Sequence, residues 1–361
     1  MGDKLATVRL AAVQAAPVFL DREGTTEKAC RLIREAGAAG AKIIGFPEGF
    51  IPTHPLWYHF HPASSALARK MATQLFLNSV EIPGATTEQL CRAAREAGVY
   101  VVMGVCERVA GTTGTMYNSQ IFISPSGQII GSRRKIMPTL GERIVHTQGA
   151  GEGLRPVDTE FGPLSGLICG ENSNALAIFA QGAMGARIHV ASWPSHFSES
   201  QPMLPAIEIS TRALAYQNCV FVINAVGIIS DEMIEAMAAT DADRRYLEQH
   251  RRTCGGASII GPVGQYVAGP MGPGEDILYG DANLEQIVTR KTVHDFAGHY
   301  NRPDLFTLTL NVEPQALFRE VYNGLNVVQV APVSHRIDAG RQAPAIEKRT
   351  PAQLSDATGS E

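Results

Sequence analysis

The chain has 361 residues, of which 45% are hydrophobic, 7% aromatic and 18% charged. This composition is typical of a globular protein, and the length allows a large buried core. The formal net charge is -4, and Lys and Arg form no long run. A surface that tracks nucleic-acid phosphates needs clustered cations, so we expect no nucleic-acid partner.

No segment approaches the roughly 18 consecutive apolar residues that are needed to cross a bilayer. The first residues are interrupted by Asp3, Lys4 and Arg9, which is not the pattern of a secretory signal. We therefore expect a protein that does not contact membranes and that is cytoplasmic.

The cysteines have wide, irregular spacings, and none forms a C-x-x-C pair. They are Cys30, Cys91, Cys106, Cys169, Cys219 and Cys254. This pattern predicts neither a zinc knuckle, nor a redox pair, nor a disulfide framework. Cys106 and Cys219 lie in strand-like patterns and are interpreted as structural.

Strand-like and helix-like patterns alternate in the first half of the chain. Strands are predicted at Val8–Gln14, Ile43–Phe46, Val99–Cys106, Tyr117–Ile123 and Gln128–Ser132, and helices at Lys28–Ala38 and Thr86–Ala97. The second helix is expected to open with a capping box from Thr86 to Gln89. The last two strands flank Ser-Pro-Ser-Gly, which favours a hairpin turn.

The alternation continues in the second half. Strands are predicted at Leu164–Ile168, Ala186–Ala191, Cys219–Val226, Ala257–Gly261, Gly264–Ala268 and Phe306–Asn311, and helices at Asn174–Met184 and Met203–Gln217. The order is typical of an α/β chain with mixed sheets. No linker divides it, so we predict one domain over residues 1–338, with a C-terminal extension from about residue 285. Residues 339–361 read as a mobile polar tail.

Three reactive residue types follow apolar strand patterns: Glu48, Lys135 and Cys169. Ligands in α/β sheets gather where strands end, so these side chains are expected to meet. A thiolate is a nucleophile that a nearby cation favours. A carboxylate can take the thiol proton and later activate water, and a lysine can stabilise developing negative charge.

Each of these residues also has an ordinary interpretation. An isolated cysteine after an apolar strand is more often a core residue. A glutamate beside a proline is usually in a solvated turn, and Lys135 follows Arg133 and Arg134, as in a charged surface. The surrounding sequence decides between these interpretations.

Three segments resemble the motifs of the nitrilase superfamily. They are FPEGFIP at Phe46–Pro52, RRKIMPTLGER at Arg133–Arg143 and GLICGENSNALA at Gly166–Ala177. Their order and separations match the family pattern, and the resemblance runs from roughly residue 5 to residue 330. KIMPT-x-x-ER and GHYNRPDLF, at Gly298–Phe306, are similar to the nitrilases proper.

The resemblance implies a role for each residue. Glu48 becomes the general base, Lys135 the stabilising cation, Cys169 the nucleophile, and Glu142 a second glutamate that holds the site in order. It also implies a four-layer α-β-β-α sandwich that self-associates as a dimer or as a larger spiral oligomer. No cofactor or metal is implied.

One residue departs from the pattern, because many nitrilases carry Trp directly after the nucleophile and this chain has Gly170. Glycine removes an aromatic wall and frees the backbone to approach the substrate. The resemblance therefore does not choose between aliphatic, aromatic and arylacetonitrile substrates.

The run from Thr53 to His61 contains three histidines and three aromatic residues. The histidines are His54, His59 and His61, and the aromatics are Trp57, Tyr58 and Phe60. A metal site is one interpretation, but the spacing fits no common structural site. A pocket wall is favoured because the run follows Glu48, so Trp57 and Tyr58 are candidate substrate contacts.

Further candidate contacts follow another strand and the nucleophile. Trp193, Pro194 and His196 could line the same cleft or belong to a packed loop. Asn172 could contact the substrate, orient the backbone beside Cys169, or cap the following helix.

Together these features predict a nitrilase that converts an organic nitrile and water into a carboxylic acid and ammonia. The expected intermediates on Cys169 are a thioimidate and an acyl-thioester. The alternatives are an amidase, a carbamoylase, or a nitrile or cyanide hydratase of the same superfamily. A non-enzymatic filament scaffold is disfavoured, because a scaffold has no need of Glu48, Lys135 and Cys169 together.

Overall fold

The computed structural model describes residues 4–195, 203–313, 318–322 and 325–330. The strands are β1 (Thr7–Ala15), β2 (Ile43–Gly45), β3 (Tyr100–Arg108), β4 (Met116–Ile123), β5 (Ile129–Arg134), β6 (Leu164–Ile168), β7 (Ile188–Trp193), β8 (Phe221–Gly227), β9 (Ser258–Ile260), β10 (Tyr266–Ala268), β11 (Asp276–Asn283), β12 (Phe318–Tyr322) and β13 (Leu325–Val330). The helices are α1 (Arg22–Ala38), α2 (Ala66–Asn78), α3 (Ala85–Ala97), α4 (Ala175–Ala183), α5 (Met203–Asn218), α6 (Asp231–Met237), α7 (Asp241–Thr253) and α8 (Glu285–Lys291).

The strands form two hydrogen-bonded runs. One run has the order β11-β1-β2-β3-β4-β5, and the other has the order β6-β7-β8-β9-β10. The strands β1, β2 and β3 are parallel, as are β6, β7 and β8. The two runs join where the ends of β1 and β8 pair, Gln14 with Val226 and Ala15 with Gly227. Strands β12 and β13 form a separate antiparallel pair.

Alternate side chains of β1 face opposite layers, as expected for a strand buried on both sides. Leu10 faces a core that contains side chains of β7 and β8, whereas Val13 packs in a second core against α1 and α3. The runs approach closely enough that a Cβ on Gly45 would lie 2.8 Å from Val190 Cγ1. Ile207 of α5 packs on the far side of the first core. The predicted α-β-β-α sandwich is thus confirmed.

Most predicted elements are present with shifted ends. Helix α1 begins at Arg22 rather than at Lys28, because the Asp21 carboxylate accepts a hydrogen bond of 3.0 Å from Gly24 N and caps it. The predicted capping box from Thr86 to Gln89 is wrong. The contact that opens α3 is Gly84 N to Thr87 Oγ1, at 2.8 Å.

One predicted strand is absent, and another is present but begins later than predicted. Residues 306–311 alternate apolar and polar side chains, but no strand pairs with them in the described part of the chain, and Phe306 is 75% exposed. Cys219 has a φ of 54° and lies in the turn before β8, which begins at Phe221.

Several elements were not anticipated. They are α2, α6, α7, α8, β11, β12 and β13. Strand β11 carries Asp, Gly and Asn, which disfavour strands, yet it pairs antiparallel with β1 over eight residues. Tertiary pairing outweighs local propensity there. Among the described residues, no helix is long and apolar enough to cross a membrane. The predicted tail at 339–361 lies outside the described residues.

Candidate active site

Glu48 lies three residues beyond β2, and the other strand run holds its backbone. Its N–H donates to the Trp193 carbonyl at 3.2 Å, which links the ends of the two runs. Gly49 follows with a φ of 55°, a left-handed conformation that glycine adopts without strain. The Glu48 side chain is buried. Its carboxylate therefore points into the protein rather than into a solvated turn.

Lys135 follows β5 and is the cation between two carboxylates. Its Nζ donates to Glu48 Oε1 at 2.7 Å and to Glu142 Oε2 at 2.5 Å. The side chain is 1% exposed, so the charged-surface interpretation of Lys135 does not hold. The structure thus brings together three of the four residues predicted as catalytic through direct bonds.

Asn118, in the middle of β4, completes this network, and the sequence analysis did not identify it. Its Nδ2 donates to Glu48 Oε1 and to Glu142 Oε1, both at 2.7 Å. Its backbone carbonyl accepts from Lys135 N at 2.7 Å. A polar residue in a fully buried strand is a signal that could have drawn attention to it.

The pKa values of the Glu48 and Glu142 carboxyl groups are shifted in opposite directions. Burial raises the pKa of Glu48 to about 7, the charge on Glu142 adds to this, and Lys135 and Asn118 oppose it. Burial also acts to raise the pKa of Glu142, but Lys135 and His146 together hold it well below its usual value. Glu142 therefore balances the Lys135 charge, and Glu48 is poised to exchange a proton near neutral pH.

Lys135 stays protonated in this environment. Burial alone lowers the pKa of Lys135, but the carboxylates of Glu142 and Glu48 raise it well above the usual value. A permanent cation in a buried site can stabilise negative charge without reorganisation.

Cys169 is the first residue of a short 3₁₀ turn, Cys169–Ser173, that directly follows β6. Its φ is 52°, in a region that non-glycine residues rarely adopt. Such strained backbone occurs preferentially at functional sites. The side chain is 5% exposed, and burial followed by the charge on Glu48 raises the pKa of the Cys169 thiol well above its usual value, against the effect of Lys135. At rest, the Cys169 side chain is therefore a thiol rather than a thiolate.

The Asn172 side chain bonds the backbone around Cys169. Its Nδ2 donates to the Cys169 carbonyl at 2.9 Å and to the Leu167 carbonyl at 3.3 Å. Its Oδ1 bonds His189 Nε2 at 2.9 Å, and His189 Nδ1 bonds Ser165 Oγ at 2.8 Å. Of the interpretations open from sequence, this placement favours backbone orientation. The cap of α4 is instead Asn174, whose side chain accepts from two amides.

The three histidines of the Thr53–His61 run are in different surroundings. His54 Nδ1 lies 3.7 Å from Glu48 Oε1, and burial lowers the pKa of His54 to about 3, so the ring is neutral. His61 Nε2 is 2.7 Å from the Met237 carbonyl. Among the described residues, the side-chain ligand atoms of Glu48, His54 and Glu142 lie close enough together to hold a metal ion. The Lys135 ammonium bonds both of the carboxylates, which disfavours a second cation there.

The other predicted substrate contacts differ in accessibility. Trp57 and Trp193 are 0% and 2% exposed, and Trp193 Nε1 donates to Asn224 Oδ1 at 3.0 Å. Tyr58 is partly exposed and packs against the turn that carries Glu142, since a Cβ on Gly141 would lie 2.4 Å from Tyr58 Cβ. Pro194 follows Trp193 and is buried. His196 lies outside the described residues.

Gly170 is exposed, and a Cβ built on it would have no neighbour within 4 Å. Its backbone does not require glycine, because its φ is not in the left-handed region. A side chain at position 170 would therefore extend into open space next to Cys169.

Glu48 and Lys135 both act electrostatically on the buried Cys169 thiol, so the three residues lie in one site. Comparison with known proteins identifies the family to which such a chain belongs. The family model for carbon–nitrogen hydrolases matches residues 9–292. The chain belongs to the carbon–nitrogen hydrolase family.

Named relatives of this hydrolase place it with the nitrilases. It is 37% identical over 317 residues to Nitrilase 2 from an unknown prokaryotic organism, covering 87% of this chain and 96% of that protein. It is 36% identical over 313 residues to an aliphatic nitrilase from Rhodococcus rhodochrous, covering 84% of this chain and 83% of that protein. A nitrilase from Pseudomonas syringae pv. syringae is 37% identical over 316 residues, covering 85% and 90%.

Solved structures share the fold of this hydrolase at lower identity. The C. elegans NitFhit protein matches with a TM-score of 0.64 and 17% identity, covering 91% of this chain and 73% of that one. A carbon–nitrogen hydrolase from Helicobacter pylori G27 matches with a TM-score of 0.61 and 18% identity, covering 80% and 93%. An amidase from Nesterenkonia sp. AN1, with acrylamide added to its active-site cysteine, matches with a TM-score of 0.57 and 18% identity. The match covers 79% of this chain and 97% of the amidase chain.

Proposed function

We propose that this carbon–nitrogen hydrolase is a nitrilase, converting an organic nitrile and two waters into a carboxylic acid and ammonia. The observation that carries the proposal is the buried bonding of Lys135 to Glu48 and Glu142 beside a cysteine, in a chain 34–37% identical to proteins named nitrilases. Glu48, Lys135 and Cys169 are the proposed catalytic residues. Glu142 is proposed to hold Lys135 charged and in place.

In the first step, the Cys169 sulfur attacks the nitrile carbon while the thiol proton passes to Glu48. Glu48 returns that proton to the nitrile nitrogen as the triple bond opens, which gives a thioimidate. Glu48 suits this transfer because burial places its pKa near 7, so that it accepts and returns protons at neutral pH. The Lys135 ammonium stabilises the negative charge that forms.

In the second step, Glu48 takes a proton from water, and the hydroxyl adds to the thioimidate carbon. Glu48 returns this proton to the nitrogen, and the proton of the added hydroxyl also passes to it, so the tetrahedral species expels ammonia and becomes an acyl-thioester. A second water, activated in the same way, releases the carboxylic acid and restores the Cys169 thiol. If the sulfur leaves instead of ammonia, the product is the amide.

The substrate substituent is proposed to lie beside Gly170, because this is the exposed position next to the nucleophile. Trp193 and Pro194 are proposed as a wall on the Glu48 side, supported by the bond from Glu48 N to the Trp193 carbonyl. Trp57 and Tyr58 are proposed as a wall on the side of Glu142.

The second candidate activity is amide hydrolysis, because the fold is shared with an amidase. A test that separates the two measures ammonia release from a panel of aliphatic, aromatic and arylacetonitriles, with the matching amides run in parallel. The Cys169→Ala variant supplies the blank. Release from nitriles supports the proposal, whereas release from amides alone would assign the chain to the amidases.

We further infer that the protein self-associates. Helix α5 and its neighbour α4 leave large apolar side chains in solvent, with Ile209 74%, Leu176 66% and Tyr216 43% exposed. Ile209 and Tyr216 are seven residues apart and so share one face of α5. An exposed apolar face of this kind is typical of a protein interface.

A further inference from the structure

The carboxylate of Glu171, two residues beyond Cys169, is shared by four donors. Arg133 Nη1 donates to Oε2 at 2.8 Å, and Nη2 donates to Oε1 at 3.0 Å. The backbone N–H of Ile136 donates to Oε1 at 2.6 Å, and that of Ile168 donates to Oε2 at 2.9 Å. Each oxygen thus accepts one guanidinium N–H and one backbone N–H.

The two backbone donors directly adjoin the catalytic residues. Ile136 follows Lys135, and Ile168 precedes Cys169. Strand β5, which delivers Lys135, pairs with β4, whereas β6, which delivers Cys169, pairs with β7. Glu171 therefore joins two catalytic segments whose strands lie in different hydrogen-bonded runs.

The ion pair is shielded from water, since the side chains of Arg133 and Glu171 are 2% and 6% exposed. Replacing such a buried pair by apolar groups is often neutral for stability, because desolvation offsets the attraction. The Arg133–Glu171 pair then acts mainly by fixing the positions of the groups that it bonds. A guanidinium that binds a carboxylate through two parallel bonds fixes its direction as well as its position.

We infer that Glu171, held by Arg133, is a positioning residue that sets the place of the Lys135 ammonium relative to the Cys169 thiol. The bond from Ile168 N fixes the backbone on one side of Cys169, and the Asn172 amide fixes its carbonyl on the other. These contacts hold the φ of 52° that directs Cys169. The inference rests on the proposed function where turnover of a nitrile is measured.

The test uses the full-length chain with Glu171→Gln, which keeps the size of the side chain and removes its charge. An error of about 1 Å in a catalytic group costs about 100-fold in rate. We therefore expect kcat for a nitrile to fall about 100-fold, while KM changes less than about threefold because substrate contacts remain. Alkylation of Cys169 by iodoacetamide should slow by about tenfold or more, since Lys135 then stabilises the thiolate less well.

A double variant separates positioning from stability. Glu171→Gln leaves the Arg133 charge buried without a partner, which lowers Tm. Adding Arg133→Met removes that charge, so Tm should recover while kcat and the alkylation rate stay low. This variant also tests the inference if Glu171→Gln alone does not fold.

Glu107→Gln is the matched control. Glu107 bonds Arg134 Nη2 at 2.5 Å, one residue from Arg133, and touches neither Ile136 nor Ile168. We expect it to lower Tm without changing kcat or the alkylation rate. Wild-type kcat and alkylation in the folded double variant would overturn the positioning role. Alkylation requires no nitrile, so a failure of the proposed function would appear separately, as an absence of turnover in the wild-type protein.

Discussion

The Nζ of Lys135 lies 2.7 Å from Oε1 of Glu48, so the proposed stabilising cation and the proposed general base are in direct contact. This contact opposes the effect of burial on the carboxyl and keeps the pKa of Glu48 at about 7. In the proposed mechanism, Lys135 therefore influences proton transfer through Glu48 as well as the charge on the reacting atoms.

Cys169 is predicted to be the one cysteine that turnover requires. Cys169→Ala should fold normally and lose activity by about three orders of magnitude or more, because the covalent route is removed. Cys169→Ser should also have low activity, since a hydroxyl ionises far less readily than a thiol. Cys91→Ala is the control and should keep activity. Rates are compared by ammonia release, and substantial turnover in Cys169→Ala would rule out the nucleophile assignment.

Glu48→Gln is predicted to abolish turnover without unfolding the protein. Gln keeps an oxygen that can accept from Lys135 and Asn118 but cannot take a proton. The pKa of Glu48 is raised in the folded protein, so its ionised form is less favoured there than in the unfolded chain. The variant should thus melt at the same temperature as the wild type, or higher, above pH 7. Below about pH 4.5 this difference should vanish, because the carboxyl is then protonated in both states.

The pH dependence of kcat/KM follows from the same group. Glu48 acts as a base only when ionised, so activity should fall as pH drops through about 7. The measurement is kcat/KM for one neutral nitrile between pH 5 and pH 9, with folding followed by circular dichroism. An acidic limb near pH 4, in a protein that stays folded, would contradict the assignment.

Lys135→Ala is predicted to remain folded and to lose activity, because no cation then stabilises the developing charge. The two carboxyls that shared the ammonium become buried like charges, which raises both of their pKa values above those of the unfolded chain. Stability should accordingly fall at high pH and recover as pH is lowered and the carboxyls are protonated. Melting curves at pH 8 and pH 5.5 test this. Unfolding at both pH values would contradict the prediction and would show that folding itself requires Lys135.

Gly170→Trp is predicted to change the ranking among nitriles or the acid-to-amide ratio more than it changes stability. The Cβ site is open, so the ring need not displace neighbours. Overpacking, which costs roughly 1–3 kcal/mol, is therefore not expected. Gly170→Ala is the control, because it adds a Cβ without a ring. Unchanged ranking and product ratio in well-folded Gly170→Trp would mean that position 170 does not face the substrate.

Self-association is predicted to depend on the exposed face of α5. Light scattering should give a particle larger than the 38.7 kDa chain, and Ile209→Asp should shift it toward that mass. A charge in an apolar interface must be desolvated without a partner, which weakens association. Leu77→Asp alters an exposed leucine of α2 and should leave the mass unchanged. A wild-type protein of 38.7 kDa at working concentration would contradict the prediction.

Glu48, Lys135 and Cys169 could be singled out from sequence because each follows an apolar strand within a recognisable local motif, and their catalytic roles stay predictions. Asn118 stands out only as a polar residue in an apolar strand pattern, and its partners could not be predicted, because other segments bring the two carboxylates beside it. Glu171 lay within the cysteine motif, but its bond to Arg133 spans 38 positions of sequence.

Errors in the predicted fold have related causes. Residues 306–311 alternate like a strand, yet alternation alone does not supply a pairing partner. Strand β11 was missed because its pairing with β1 outweighs its unfavourable residues. The local sequence pattern thus predicts most helices and strands. The exceptions depend on pairing between strands that are distant in the sequence.

Covalent capture of the substrate on Cys169 tests the central claim most directly. The wild-type protein is mixed with an excess of a nitrile, quenched in acid during turnover, digested and analysed by mass spectrometry. We predict an adduct with the mass of the thioimidate or the acyl-thioester on the peptide that contains Cys169, and none in Cys169→Ala. Turnover of the nitrile with no adduct on that peptide, or with an adduct on another cysteine, would contradict the account.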